Sequence, residues 1–120
     1  MPPLSTTTQS FLPLTPVVYE ILLSLADDEL HGYAIMQEIE ERTEGRTTMR
    51  PGTLYRAVDR LLASGLIEES DRRPDPQLDD ERRRYYRLTT LGRAVLTAEA
   101  ERLARAVAAA RAKKLVKGRA

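Results

Sequence analysis

The sequence predicts a mainly α-helical fold with one small β-hairpin. Three segments in the first part of the chain carry apolar residues at helical spacing, and two later short segments are rich in residues that favour strands. A last, long segment has apolar residues at a heptad-like spacing. The chain of 120 residues suits one domain that buries its own core.

Three helices are predicted before the hairpin. The first covers residues 15–27, because Thr15 is a favourable N-cap and the proline after it fits the first helical position. The second covers about residues 31–43 and follows an acidic turn. The third begins near Pro51 and runs to about Ser64. Its apolar residues recur on one side and predict a buried stripe: Leu54, Val58, Leu61 and Leu62.

The hairpin is predicted from two strand-like segments, "LIEESDR" (66–72) and "RRYYRLT" (83–89). Between them lies "RRPDPQLDDER" (72–82), whose prolines and charges predict a long, mobile tip. Three helices followed by a two-stranded wing predict a winged helix-turn-helix, in which the second and third helices form the helix-turn-helix unit.

The last helix is predicted over residues 89–115, with Thr89 as its cap. It would be about 40 Å long, which is more than a compact body of this size needs. Its seam of small and apolar residues predicts a homodimer interface: Leu96, Ala100, Leu103, Val107 and Ala110. The expected organisation is a flexible arm (1–14), a winged helix-turn-helix (15–90) and a dimerisation helix with a basic tail (91–120).

Composition excludes several kinds of chemistry. The absence of cysteine excludes disulfides and cysteine metal sites and favours a reducing, cytoplasmic location. His31 is the only histidine, which excludes a histidine zinc site and a catalytic pair of histidines. No apolar run approaches the roughly 20 residues of a membrane helix, and the N-terminus lacks the pattern of a signal peptide. Nothing resembles a phosphate-binding loop or a nucleophile with its base, so neither an enzyme activity nor a cofactor is predicted.

Charge is distributed unevenly along the chain. Residues 1–41 contain seven acidic residues and no Lys or Arg, whereas residues 42–120 contain all 19 basic residues and the other eleven acids. This asymmetry indicates a face that binds a polyanion. The alternative is that helical faces alternate in charge only for solubility.

Three motifs together resemble the PadR family of bacterial transcriptional regulators. They are "HGYAIMQEI" (31–39), "PGTLYRAVDRLLASGLIEE" (51–69) and "RRRYYRLTTLGRAVL" (82–96), and they occur in the family's order. The single helix after the wing is similar to the short subfamily. The resemblance implies a winged-helix homodimer that binds an inverted-repeat operator in double-stranded DNA. It also implies a repressor that a small molecule or another signal releases.

Two departures from the family's pattern limit what the resemblance implies. The predicted wing tip, "PDPQLDDE" (74–81), is acidic, so DNA contact is expected at the base of the wing instead. The chain has no tryptophan, so drug binding by an indole stack at the dimer centre has no support.

The third helix is the predicted DNA-reading element, with its start against the bases of the major groove. The first backbone N–H groups of a helix lack partners and lie at its positive end, where a phosphate can bind. Arg56 and Arg60 lie one turn apart and can read guanine or contact phosphates, whereas Thr53 suits a phosphate or a thymine methyl. The alternative is a solvated face on which Arg60 pairs with an acid. The predicted DNA-binding residues are Tyr33, Arg50, Pro51, Gly52, Thr53, Tyr55, Arg56, Arg60, Arg82, Arg83, Arg84 and Tyr86.

Three ring side chains in the helix-turn-helix segment can have structural roles in place of DNA contact. Tyr55 lies at the edge of the buried stripe and is expected to be mostly packed with its hydroxyl outward. Tyr33 is expected either to contact a phosphate or to have no such role. His31 is expected to cap or pack at the start of the second helix, and Gly32 to permit close packing between helices.

The basic residues of the wing divide between two sides of a strand. Side chains alternate along a strand, so Arg82, Arg84 and Tyr86 share one side, and Arg83 and Tyr85 share the other. Sequence alone leaves open which side faces DNA.

Two functions therefore remain from the sequence. The first is a homodimeric, sequence-specific DNA-binding transcriptional regulator. The second is a winged helix that serves only as a protein-interaction module, without DNA binding; the arginines of the third helix argue against it. The basic C-terminal segment "RAKKLVKGRA" (111–120) is open to both a solvated and a DNA-contacting role.

Overall fold

The computed structural model describes residues 7–71 and 84–117 of the chain. Within these ranges the protein has four principal helices and one sheet of three short strands. The helices are α1 (Pro16–Ser24), α2 (Gly32–Arg42), α3 (Pro51–Ser64) and α4 (Thr90–Ala112). The strands are β1 (Leu30–His31), β2 (Ile67–Glu69) and β3 (Tyr85–Leu88). The predicted class, mainly α-helical with a small β-element, is confirmed, and α1 ends at Ser24 instead of residue 27.

The core lies where α1, α2, α3 and the first half of α4 meet the sheet. In α3, Leu54, Val58 and Leu61 are buried as the helical spacing predicts, and Leu62 is half-buried beside them. The other buried apolar residues come from every neighbouring element: Ile21, Leu22, Leu25, Ile35, Ile39, Leu66, Ile67, Tyr86, Val95 and Leu96. Burial of the Leu stripe therefore decides which face of α3 is left for solvent.

The sheet is antiparallel with the strand order β1-β3-β2. β2 and β3 are the predicted wing strands, and Glu69 lies opposite Tyr86 in their register. β1 was not predicted, because a strand of two residues is too short to show an alternating pattern. It pairs Leu30 with Tyr86 and thereby ties the start of α2 to the wing. The predicted wing tip (74–81) lies outside the described residues.

The turn from α3 into the wing depends on Gly65. Its φ angle is 80°, in the left-handed region that glycine adopts without strain. The N–H of Leu66 reaches back to the carbonyl of Leu61 at 3.0 Å, which satisfies one of the free carbonyls at the helix end. This turn directs the chain straight from α3 into β2.

Residues 7–14 are folded onto the body, so the predicted arm (1–14) does not extend over them. Residues 7–10 are helical, and Thr8 is buried. Phe11, Leu12 and Leu14 pack against the core. The polar Ser/Thr run before them masked this small apolar group in the sequence. Residues 1–6 lie outside the described part of the chain.

The first half of α4 belongs to the core of the protomer. Val95 and Leu96 are buried in it, so Leu96 is not available for the predicted dimer seam. A heptad-like pattern does not distinguish a contact within one protomer from a contact between two. Farther along the helix, positions 104–109 are exposed, and Val107 keeps 42% of its surface accessible. The second half of α4 therefore has no covering partner among the described residues.

Glu99 is a buried carboxylate that sequence reasoning missed. It is 1% exposed, and its Oε2 accepts a hydrogen bond from the Leu14 N–H at 2.9 Å. Its Oε1 accepts a bond from Nε of Arg102 at 2.5 Å. The hydrogen bond from Arg102 lowers the pKa of Glu99; burial opposes this, and the Leu14 N–H supports it. The pair thus holds the N-terminal segment against α4.

We expect Glu99→Gln to destabilise the fold in a pH-dependent way. A depressed carboxyl pKa stabilises the folded state above the unfolded-state pKa of about 4.3, and that contribution is lost as pH falls through the folded-state pKa. At neutral pH the variant should lose about 1–3 kcal/mol of unfolding free energy. Urea titrations at fixed protein concentration would measure this loss, and the difference from the parent should shrink as the solution is acidified.

Glu101→Gln is the matched control, because Glu101 lies exposed on the same helix. Its unfolding free energy should stay within about 0.5 kcal/mol of the parent. An equal loss of unfolding free energy in both variants would contradict the proposed role of Glu99 in holding the N-terminal segment against α4.

Candidate nucleic-acid interface

The start of α3 is open to an anion. Arg50, Pro51 and Gly52 are exposed, and Arg50 makes no side-chain bond that caps the helix. The first turn contains no acidic residue that would neutralise the positive end of the helix. Proline has no N–H, but the N–H groups that follow it have no intrahelical partner. The helix start therefore offers donors and positive potential to a phosphate.

Arg56 and Arg60 extend this positive surface along α3. Both are exposed, Arg56 on the side of the helix opposite Leu54, and Thr53 is half-buried one turn before Arg56. Within the ranges 7–71 and 84–117, neither arginine forms an ion pair, so the paired state considered for Arg60 is not found there. The two guanidinium groups are therefore available for a ligand.

Other arginines of the fold are neutralised. Arg42 of α2 contacts Glu20 of α1 at 2.7 Å and Glu38 one turn earlier at 2.8 Å. Arg87 of β3 contacts Glu68 across the sheet at 2.8 Å, and this contact raises its pKa. These residues stabilise the packing of elements, whereas the arginines of α3 face solvent.

The start of α2 is fixed by His31. Its Nδ1 accepts a hydrogen bond from the Ala34 N–H at 3.1 Å, and its ring meets the ring of Tyr85 edge-on at 5.4 Å. His31 thus both caps α2 and packs against β3, as the sequence predicted. A ring nitrogen that accepts a cap bond is not free to act as a base.

α2 and α3 touch at Gly32 and Tyr55. A Cβ atom at position 32 would lie 2.5 Å from the Tyr55 hydroxyl oxygen and 2.8 Å from the ring carbon that bears it. Gly32 thus permits close packing between the two helices, as predicted, because a larger residue would displace the Tyr55 ring. Tyr55 is half-buried, but its hydroxyl lies over Gly32 and is not turned outward as expected. The next residue of α2, Tyr33, is 62% exposed.

The wing contributes less of the predicted surface than expected. Tyr86 is 5% exposed and belongs to the core, so its assignment to DNA contact is wrong. It lies between β1 and β2 in the sheet with its side chain toward the body, and burial raises its pKa. Arg84 is exposed and lies 3.8 Å from Glu69. Arg82 and Arg83 lie outside the described residues.

The structure also brings α1 to the arginines of α3, which the sequence did not indicate. Thr15, Val17 and Val18 line a groove together with Arg56 and Arg60. Thr15 and Arg60 are 45 positions apart in the chain. No local pattern reports such a contact, because it depends on how the two helices cross.

Two other features are absent from the part of the chain that the structure describes. It contains no group of three or more His, Cys, Asp or Glu residues that could hold a metal ion. None of its helices is long and apolar enough to cross a membrane.

Comparison with known proteins identifies the family. The pattern of the "Transcriptional regulator PadR-like family" matches residues 21–98, more than half of the chain. A transcriptional regulator of Mycobacterium tuberculosis is 40% identical over 90 residues, which cover 72% of this chain and 78% of the relative. A longer protein from a Streptomyces fradiae transposon is also 40% identical over 85 residues, but the chain spans only 22% of it.

Solved structures share the fold. A PadR family transcription regulator from Clostridium difficile superimposes with a TM-score of 0.68 at 25% identity, over 81% of this chain and 96% of that one. Bacillus subtilis PadR in complex with operator DNA superimposes with a TM-score of 0.60 at 24% identity, over 70% of this chain and 47% of that one. The winged helix with a C-terminal helix is thus common to all three. The chain belongs to the PadR-like family of transcriptional regulators, as its three motifs predicted.

Proposed function

We propose that the chain is a homodimeric, sequence-specific regulator whose α3 enters the major groove of an operator with two inverted half-sites. The observation that carries this proposal is the exposed, unpaired state of Arg56 and Arg60 beside the uncapped start of α3. Membership of a family of transcriptional regulators supports it, as does the shared fold of Bacillus subtilis PadR, which was solved with operator DNA.

The proposed DNA contacts are of two kinds: some read the base sequence, and others position the protein on the DNA backbone. Arg56 and Arg60 read guanines through their two-pronged guanidinium groups or contact phosphates, and Thr53 contacts a thymine methyl or a phosphate. The α3 start binds a phosphate through its free N–H groups, and the exposed Tyr33 of α2 is proposed as a second phosphate contact. Such phosphate contacts fix the register of the protein on DNA without reading sequence.

Arg84 contacts the DNA backbone from the base of the wing. At 3.8 Å from Glu69 and about half exposed, it has only a loose partner in the free protein. A phosphate can therefore replace Glu69 at little cost. Arg82 and Arg83 are proposed to contact DNA as well.

Dimerisation uses the second half of α4. Val107 is exposed, and Ala100, Leu103 and Ala110 are half-buried on the same side of the helix. Apolar surface on a helix that extends beyond its own core is stabilised by a second copy of the chain. A two-fold dimer presents two α3 helices in opposite directions, which matches an inverted repeat.

Operator binding represses transcription in the cytoplasm, and a small molecule or another signal releases the protein. This part of the proposal rests on the family resemblance and on a cysteine-free chain that suits a reducing compartment.

Arg56→Ala should weaken binding to the preferred operator by about 1–3 kcal/mol and relax the preference at one base position. The reason is that a lost bidentate contact to guanine removes discrimination at that base pair. Fluorescence anisotropy on operators selected from random duplexes would measure both effects. Arg105→Ala, exposed on α4, is the control and should bind like the parent. Equal weakening on all sequences would make Arg56 a phosphate contact.

Binding to duplex DNA should fall steeply with salt. Each neutralised phosphate contributes a slope of about 0.9 in a plot of log affinity against log salt concentration, because binding releases condensed counterions. Anisotropy titrations over a series of salt concentrations would give the slope. A chain that binds no duplex DNA at low salt would instead favour the protein-interaction module.

Leu103→Asp should give monomers in analytical ultracentrifugation and weaken operator binding. A carboxylate at this position would have to be buried without a partner in the dimer. Arg105→Asp introduces the same group on the opposite side of α4 and should leave the dimer intact. A dimeric Leu103→Asp variant would show that the interface lies elsewhere.

A further inference from the structure

The groove beside the arginines of α3 has two chemically different ends. Its arginine end, about 220 Å³, is lined by Thr53, Arg56 and Arg60 opposite the start of α1. Its apolar end, about 290 Å³, is lined mainly by Phe11, Leu14, Val18, Leu61 and Leu66. Thr15, Val18 and Arg60 line both ends, so the two ends adjoin each other at these residues. One surface thus combines free cations with an apolar trough.

The arginine end attracts an anion. Arg56 and Arg60 form no ion pair with any residue of the described ranges, and Thr53 adds a hydroxyl donor. A guanidinium group matches the planar geometry of a carboxylate and can hold it by two parallel hydrogen bonds. The apolar end attracts hydrocarbon, since Phe11, Leu14 and Val18 are only half covered by the body. The complementary ligand therefore has one negative group and an apolar chain.

The wall of the apolar end is held in place. The N–H of Leu14 donates a hydrogen bond to the buried carboxylate of Glu99. The side chain of Thr15 caps α1 by accepting a hydrogen bond from the N–H of Val18. A groove with fixed walls loses little conformational entropy when a ligand enters.

We propose that this groove binds an alkyl carboxylate, with the carboxylate on Arg56 and Arg60 and the chain along Phe11, Leu14 and Val18. Bound ligand and operator DNA then exclude each other, because both need the same two arginines. This competition rests on the proposed function, whereas ligand binding itself does not.

The full chain, labelled with ¹⁵N and free of DNA, is titrated with octanoate and followed by NMR. Saturable shifts are expected for the amides of Phe11, Leu14, Val18 and Arg60. Acetate tests the charge without the chain, and 1-octanol tests the chain without the charge. Each should bind at least about tenfold more weakly than octanoate, since each lacks one of the two contacts.

Arg60→Met should weaken octanoate binding by about tenfold while the dispersion of the spectrum shows that the fold is kept. Arg105→Met makes the same change of charge on the exposed side of α4 and should leave octanoate binding unchanged. Shifts scattered over the molecule, or an equal response to octanoate and acetate or to octanoate and 1-octanol, would overturn the proposal.

The competition is tested separately with the preferred operator. Octanoate should raise the apparent dissociation constant for DNA linearly with the ratio of its concentration to its own dissociation constant, as for two ligands that exclude each other. If octanoate saturates the groove and DNA affinity does not change, exclusion is overturned. If the chain binds no DNA, the proposed function fails and the NMR result still decides ligand binding.

Discussion

The close contact between Gly32 and Tyr55 is the constraint on which the rest of the interface depends. The Tyr55 hydroxyl oxygen of α3 lies 2.5 Å from where a Cβ atom at position 32 would be, so a larger residue there would displace the Tyr55 side chain. His31, one residue earlier, caps α2 and packs on Tyr85, so the same short segment also joins the helices to the wing. α2 and the wing are fixed in this way, and the apolar stripe of α3 that contains Leu54 is buried. α3 therefore has only one face left for a ligand.

Ion pairs elsewhere in the fold also help to single out the exposed face of α3. Most acidic residues of the first third of the chain belong to α1 and α2. Two of them, Glu20 and Glu38, form ion pairs with Arg42. On the sheet, Glu68 binds Arg87. These pairs leave Arg56 and Arg60 as unopposed cations of α3 within the described residues. α3 therefore presents two unpaired cations, although the net charge of the chain is only +1.

Much of the fold was predictable because its strongest signals are local. α3 has the predicted bounds, Pro51–Ser64, since its apolar spacing, its proline start and its glycine stop all agree. Long-range packing decided the rest. Four features depend on contacts with distant parts of the chain. They are the pairing of the two-residue strand β1, the inward orientation of Tyr86, the burial of Leu96 and the burial of the Glu99 carboxylate. In the candidate site, sequence located the arginines of α3, and only the fold showed that α1 lies beside them.

The bond between Leu14 and Glu99 has a consequence for folding on the ribosome. The two residues are 85 positions apart, so Leu14 leaves the ribosome long before Glu99 does. Contacts of such long sequence separation close a large loop and slow folding. Until α4 has been synthesised, the N–H of Leu14 lacks its partner, and the segment from Thr7 to Leu14 lacks its anchor. α4 thus completes the packing of a segment that is made well before it.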